Sequence, residues 1–451
     1  MDTTNETRLT RRALVVRGGA TAVALVTAQA TPGLAAVRRF PGAGACDADV
    51  PTAWFDLARE LVQRTPGYSP PVAARALGYT GLTLYEAVVP GMHGYRSLAG
   101  AALERRGVSG LPHDTAYDWR LVANAALAEI LRQMFPTAPS ALKEQVEALE
   151  ASFAETLEGG LGPGVRERSI QRGRSVADAV FAWSATDGGH EGYARNFPAY
   201  TPPTGPGLWV PTPPAFSPAL QPYWGGNRCL AIGGGADCPP GEHPPYSEAT
   251  GSAFHEEALE VYETRATLTP EQEAIARFWS DDPGLTSTPP GHSISIATQV
   301  LRREDATLAT AAETYAKVGI AVCDAFVACW HAKYSYNLLR PVTYLREVAD
   351  PVWLPLLGTP PFPEYPSGHS VQSGAAFAVL TDLFGPSYAF VDHTHDARGL
   401  EPRSFGSFDE AAAEAAISRL YGGIHFRAAI EKGLEQGRCI GEAVTELPLR
   451  E

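Results

Sequence analysis

The chain has 451 residues, 45% of them hydrophobic and 19% charged. A large core can therefore be buried, and length alone allows two or three domains. Lys and Arg number 36 against 50 Asp and Glu, a formal net charge of −14, which excludes the basic face that nucleic-acid binding relies on. In so acidic a chain, a cluster of basic residues implies a specific anion to hold.

The N-terminus carries a targeting pattern. Arg11-Arg12 precede an apolar, small-residue run from Ala20 to Ala36, with cleavage-type positions at Ala28-Gln29-Ala30 and Gly33-Leu34-Ala35-Ala36. The pattern predicts a twin-arginine export signal over residues 1–36, hence export of a folded protein from a bacterial cytoplasm; a basic, disordered N-terminus is the plainer alternative. No later stretch offers eighteen uncharged apolar residues, since the run from Val318 to Trp330 is short and carries Asp324. No membrane span is expected in the mature chain. Six cysteines suit an oxidising compartment. Cys229 and Cys238 flank a Gly-rich loop and are the best candidates for a bridge, Cys46 and Cys439 are a second possible pair, and Cys323 and Cys329 read as buried thiols.

Beyond the signal, helical spacing dominates. Apolar residues recur at three- and four-residue intervals over 51–64, 72–90, 115–134, 139–158 and 166–184,. From 196 to 250 the composition turns to Pro, Gly, Trp and Tyr, which excludes helix and central strand and predicts an ordered covering loop. Helices resume at Thr269-Pro270-Glu271-Gln272 and Ser407-Phe408-Asp409-Glu410, each with capping-box chemistry,. Alternating strand patterns and internal repeats are absent from the sequence. The fold class is all-α, expected as two packed helical bundles: an N-terminal half over 37–195, the loop, and a C-terminal half over 251–451.

Three blocks carry the chemistry. In the first, Lys333 and Arg340 stand seven residues apart, about two helical turns, with Pro341 expected to stop the helix after Arg340,. Two cations on one helix face are ordinarily a solvated stripe. In the second, Pro366-Ser367-Gly368-His369 opens the helix-like run 370–384. Ser367 and the Gly368 amide then sit at a helix N-terminus, which attracts an anion, and His369 is placed for proton transfer. In the third, Gly422-Gly423 breaks the helix between Arg419 and His425, so both side chains can reach one point, and a new helix starts at His425,. Each block alone is ambiguous. Together, three cations, neutral donors and two imidazoles describe a cradle for a tetrahedral oxyanion.

The pattern Lys-x6-Arg-Pro, Pro-Ser-Gly-His, Ser-Arg-x5-His resembles the signature of the type 2 phosphatidic acid phosphatase and vanadium haloperoxidase superfamily. Pro360-Pro361-Phe362-Pro363-Glu364-Tyr365-Pro366 and Arg403-Ser404-Phe405-Gly406-Ser407-Phe408 look like the flanks of the haloperoxidase branch. The resemblance implies a chloroperoxidase-like helical bundle and a vanadate cofactor, with phosphate able to occupy the same place. It implies His425 as the single vanadium ligand, with Lys333, Arg340, Arg419, Ser367 and Gly368 around the oxygens. It further implies His369 as acid–base group, Lys333 as activator of peroxide, and Trp330 and Phe362 beside the halide, although core packing explains those aromatics about as well. Hydrogen peroxide, halide and a small organic acceptor would be the reaction partners. Two rivals share the pocket: a soluble acid phosphatase working through a phospho-histidine, and a non-catalytic oxyanion-binding protein.

An acidic partner for one arginine is expected at Asp281 or Asp282. Asp392-His393-Thr394-His395-Asp396 has metal-ligand residue types but reads as a solvated turn. His331 suits either a supporting position or the helix surface, and His292 has no assigned role.

Overall fold

The computed structural model describes residues 41–450 except 109, 110, 112–114 and 158; the expected export signal lies outside them. The N-terminal half comprises α1 (Asp49–Arg64), α2 (Pro70–Val88), α3 (Gly100–Glu104), α4 (Trp119–Met134), α5 (Ser140–Leu157) and α6 (Pro163–Ser184). Prolines lead α2 and α6, where a missing N–H costs nothing, and the Asp118 carboxylate caps α4 by accepting from the Arg120 and Leu121 amides,. The C-terminal half comprises α7 (Ala253–Ala266), α8 (Pro270–Phe278), α9 (Thr288–Arg303), α10 (Leu308–Tyr336), α11 (Pro341–Val348), α12 (Gly368–Phe384), α13 (Phe408–Tyr421) and α14 (Arg427–Thr445). The capping box at Thr269 forms in full. At Ser407 only half of it forms, because the Glu410 carboxylate accepts from the Gly406 amide instead.

Between α12 and α13 lies a two-stranded antiparallel ribbon, β1 (Phe390–Asp392) with β2 (Arg403–Phe405), that the sequence pattern did not predict. Strands of three residues are too short for alternation to register.

Two close approaches fix the layout. Gly78 on α2 faces Gly319 on α10, where an added Cβ would lie 2.8 Å from the Gly319 carbonyl oxygen. Gly433, Gly437 and Gly441 recur every fourth residue along α14 and lie against α12; a Cβ on Gly437 would come within 2.2 Å of the Val371 carbonyl oxygen. This contact, and the Ser367 amide donating to the Ala429 carbonyl at 3.0 Å, seat the α12 N-terminus on the start of α14. That junction carries the site.

The Pro-rich segment packs against α10. The Leu220 carbonyl accepts from Trp330 Nε1 and Tyr334 Oη, and the Trp209 amide donates to the Asn337 carbonyl at 2.7 Å. Asp324, the charge that interrupts the apolar run of α10, is fully buried and accepts from the amides of Leu230, Ala231 and Ile232 at 2.7–3.1 Å. The expected Cys229–Cys238 bridge does not form. Cys238 pairs with Cys439 across 201 positions, their Cα atoms 6.0 Å apart, while Cys46, Cys229, Cys323 and Cys329 are buried free thiols. Gln436 on α14 donates to the Cys238 carbonyl at 2.7 Å, so Cys238 is drawn onto α14 and away from its sequence neighbour. No helix among the described residues is long and apolar enough to cross a membrane.

Gly437→Ala should destabilise the fold by about 1–3 kcal/mol, because backbone rather than a mobile side chain must yield. Urea unfolding monitored by circular dichroism will read this as a lowered midpoint with an unchanged slope.

Candidate oxyanion site

Lys333 and Arg340 do not share a helix, contrary to expectation. The helix α10 ends at Tyr336 with Asn337 in the left-handed conformation (φ 49°), and Arg340 is the N-cap of α11. Pro341 starts that helix at its first position instead of stopping the previous one. The two cations nevertheless converge, because both reach the same segment. Lys333 Nζ donates to the carbonyls of Pro363 (3.1 Å), Glu364 (2.9 Å) and Pro366, and Arg340 Nε donates to the Phe362 carbonyl at 2.9 Å. Arg340 Nη1 also donates to the Ile424 carbonyl at 2.8 Å.

Arg419, on the last turn of α13, donates through Nη2 to the carbonyls of Trp279 (2.7 Å) and Ala276 (3.2 Å). All three cations are at most 1% exposed. Burial pulls Lys333 down to about 7 and each guanidinium down to about 10, the signature of positive charge lacking a full counterion. Carbonyl dipoles orient these cations without neutralising them. The expected carboxylate partner for an arginine is not an ion-pair partner: Asp281 lies near Arg419 electrostatically but pairs with His292.

The helix break at Gly422-Gly423 occurs as expected, with Gly423 at φ 74°. His425 lies in the link, two residues before α14 begins at Arg427, rather than at the helix start. The ring is 2% exposed, and Nε2 sits 3.2 Å from Arg340 Nη1. Its tautomer follows from Glu364. With Glu364 ionised, its Oε1 accepts both from the Phe426 amide at 2.9 Å and from the His425 Nδ1 at 2.8 Å. Nε2 then carries the lone pair, which accepts from Arg340 Nη1,. Burial, with Arg340, Lys333 and Arg419 nearby, holds His425 well below the usual histidine value, so it stays neutral. Glu364 was quoted in the sequence only as part of a motif; its bond to His425 depends on which backbone amide it shares, and no spacing rule encodes that. Burial raises its carboxyl to about 8.

Ser367 caps α12, its Oγ accepting from the Ser370 amide at 3.4 Å. The hydroxyl proton is left free to donate. A Cβ on Gly368 would meet Trp330 and Lys333 at 3.7 and 4.0 Å. His369 borders the cavity with Nε2 shielded and unpartnered, and burial together with Arg419 holds it well below the usual value. Arg340 Nη2 is also buried without a partner. Trp330 and Phe362 meet at a tilt of 50° with ring centroids 4.9 Å apart, and Phe362 lies 5.0 Å from Lys333 Nζ. Because the Trp330 N–H is taken by Leu220, Trp330 offers its ring and not its donor. Gly368, His369, Arg419, His425, Trp330 and Phe362 all border one cavity of about 1000 Å³.

The expected solvated turn is corrected in part. His393 and Asp396 are exposed and pair with each other, but Asp392 and His395 are buried. His292, on α9, lies between two carboxylates, with Nδ1 2.8 Å from Asp281 and Nε2 2.7 Å from Asp392. Although burial opposes its charge, the two aspartates hold its pKa up at about 10. A hundred residues separate His292 from Asp392, so the cluster has no local signature. His331 is on the helix surface.

A helical fold that buries three cations and the His425 imidazole, with Arg419, His369 and His425 lining one cavity, has the features of an oxyanion-binding enzyme site. The family described as the VCPO second helical-bundle domain matches residues 313–450. The chain is similar to the structure titled the first bacterial vanadium-dependent iodoperoxidase, with 37% identity and a TM-score of 0.79 over 90% of this chain and 98% of that one. A holo-type bacterial vanadium-dependent chloroperoxidase shares the fold at 17% identity and a TM-score of 0.63, over 86% and 93% of the two chains. Vanadium chloroperoxidase of Curvularia inaequalis is 26% identical over 220 residues; the match spans 35% of this chain and only 36% of that relative. The chain belongs to the vanadium-dependent haloperoxidase family.

Glu364→Gln should weaken inorganic phosphate or vanadate binding about 10–100-fold, as loss of a group orienting a ligand histidine does. Titration calorimetry with either oxyanion tests this, and unchanged affinity would deny Glu364 its orienting role.

Proposed function

We propose that the protein oxidises halide with hydrogen peroxide on a vanadate held in this cradle, releasing a hypohalous species to a small organic acceptor. One observation carries the reading: Arg419, His369 and His425 line one cavity, Arg340 Nη1 stands 3.2 Å from His425 Nε2, and Lys333, Arg340 and Arg419 are all buried, with Arg340 Nη2 making no hydrogen bond among the described residues. Buried charge left without a counterion costs several kcal/mol, and a tetrahedral oxyanion offers oxygens to satisfy all of these groups at once. Phosphate has the same shape and remains a competing occupant.

When bound, vanadate supplies a Lewis-acidic centre for peroxide that keeps its oxidation state. The His425 Nε2 lone pair is its protein ligand, oriented by Glu364. Lys333, Arg340 and Arg419 balance the oxyanion charge, while the Ser367 hydroxyl and Gly368 amide donate to it. His369, neutral because of its surroundings, accepts the proton that peroxide gives up on entry. Lys333 Nζ stands 5.0 Å from the Phe362 ring and 6.0 Å from the Trp330 ring, which suits it to polarise peroxide where halide arrives. The cavity mouth is largely apolar, with Tyr68, Phe197, Leu220 and Phe326 along it, which favours an apolar acceptor.

Protein reconstituted with vanadate should halogenate a phenolic dye with peroxide and iodide or bromide. His425→Ala should abolish the activity, and His369→Ala should lower kcat about 100-fold or more. Hydrolysis of phosphate esters without vanadate, together with no halogenation by the reconstituted enzyme, would favour the phosphatase reading.

Export by the Arg11-Arg12 signal is part of the proposal, supported independently by the Cys238–Cys439 disulfide, which is suited to an oxidising compartment,. Fused to a reporter, residues 1–36 should direct export, and replacing both arginines with lysine should block it.

A further inference from the structure

Outside the cradle, the densest group of metal-ligating side chains is Asp281, His292 and His395, whose ligand atoms all lie within 4.8 Å of one another. They come from three elements: the α8–α9 link, α9, and the turn after β1. Each is at most 2% exposed. Two of their atoms are unspent, because His395 Nε2 and Asp281 Oδ1 face each other at 3.3 Å and neither completes a hydrogen bond. Two donors bound to one tetrahedral zinc at about 2.0–2.1 Å each stand about 3.3 Å apart. The separation is that of two ligands of one ion.

The surroundings agree. A ligand histidine commonly donates its second ring N–H to a carboxylate that fixes its tautomer. His292 has that carboxylate in Asp392, 2.7 Å from Nε2, and Asp392 is itself held by Thr394 and Gln299. Trp279 stacks on His292 at 4.5 Å and Phe278 meets His395 edge-on at 5.0 Å, so aromatic rings cover both imidazoles.

We propose that Asp281, His292 and His395 form a binding site for a divalent transition metal of the zinc class, with Asp392 orienting His292. An ion seated there takes the place of the proton between His292 Nδ1 and Asp281, and leaves a fourth position for water. It ties the β1–β2 ribbon to the α8–α9 link, against whose Ser280 backbone the His369 ring rests. The ion would sit beside the cradle, because Asp281 also borders the cavity that His369 and Arg419 line.

The test uses untagged full-length protein, stripped with chelator, reloaded with Zn²⁺ or Co²⁺, desalted and measured by metal analysis. One equivalent per chain is expected, with a tetrahedral Co²⁺ visible spectrum and a raised Tm on loading. His395→Gln should lose the equivalent, Asp392→Asn should weaken binding about 10–100-fold, and His425→Ala should keep it. Wild-type protein that retains no metal after desalting overturns the proposal without recourse to any variant. Undiminished binding in a folded His395→Gln overturns it equally.

Discussion

Backbone carbonyls grip the cations of this protein, and the rest of the molecule is arranged to present them. Pro363, Glu364 and Pro366 offer three oxygens to Lys333, Phe362 and Ile424 offer two to Arg340, and Ala276 and Trp279 offer two to Arg419. A carbonyl is a dipole, so it orients a cation without cancelling it. Had carboxylates done the gripping, the positive charge needed for an oxyanion would have been spent inside the protein. Of the carboxylates close by, Glu364 is turned to His425 and the Phe426 amide, and Asp281 is turned to His292. The sequence Pro360-Pro361-Phe362-Pro363-Glu364-Tyr365-Pro366 suits this task because its prolines keep the segment out of any helix, leaving its carbonyls to the cations.

The helices exist to hold that segment in place. The glycine ladder of α14 brings α12 close enough for Ser367 to cap at the cavity wall, and α10 carries Lys333 and Trp330 up to the segment from below. The long irregular segment over α10 closes the other side, its amides at Leu230, Ala231 and Ile232 fixed by Asp324. A carboxylate in an apolar helix is costly unless such donors meet it. Asp324 is thus a joint between helix and cover.

What could be read beforehand was chemistry and helix content. The composition of the three blocks, the capping box at Thr269 and the Gly422-Gly423 break are local, and local rules predict them. The errors arose where a long-range partner decides the outcome. Lys333 and Arg340 meet through a segment twenty to thirty residues further along the chain, which helical arithmetic cannot anticipate. Cys238 found Cys439 because α14 passes beneath it, and His292 found Asp392 because α9 packs on the ribbon. Glu364 and His395 were in plain view, but burial and the direction of a side chain are set only by packing.

The shared grip has an evolutionary side. A single stretch of five residues, Phe362 to Pro366, supports both Lys333 and Arg340, so a change there shifts two cations together. Effects of substitutions along it will not add, since residues serving common partners interact energetically. Variation that retunes the cradle is therefore constrained to arrive as matched sets, and the stretch behaves as one epistatic unit rather than five independent positions.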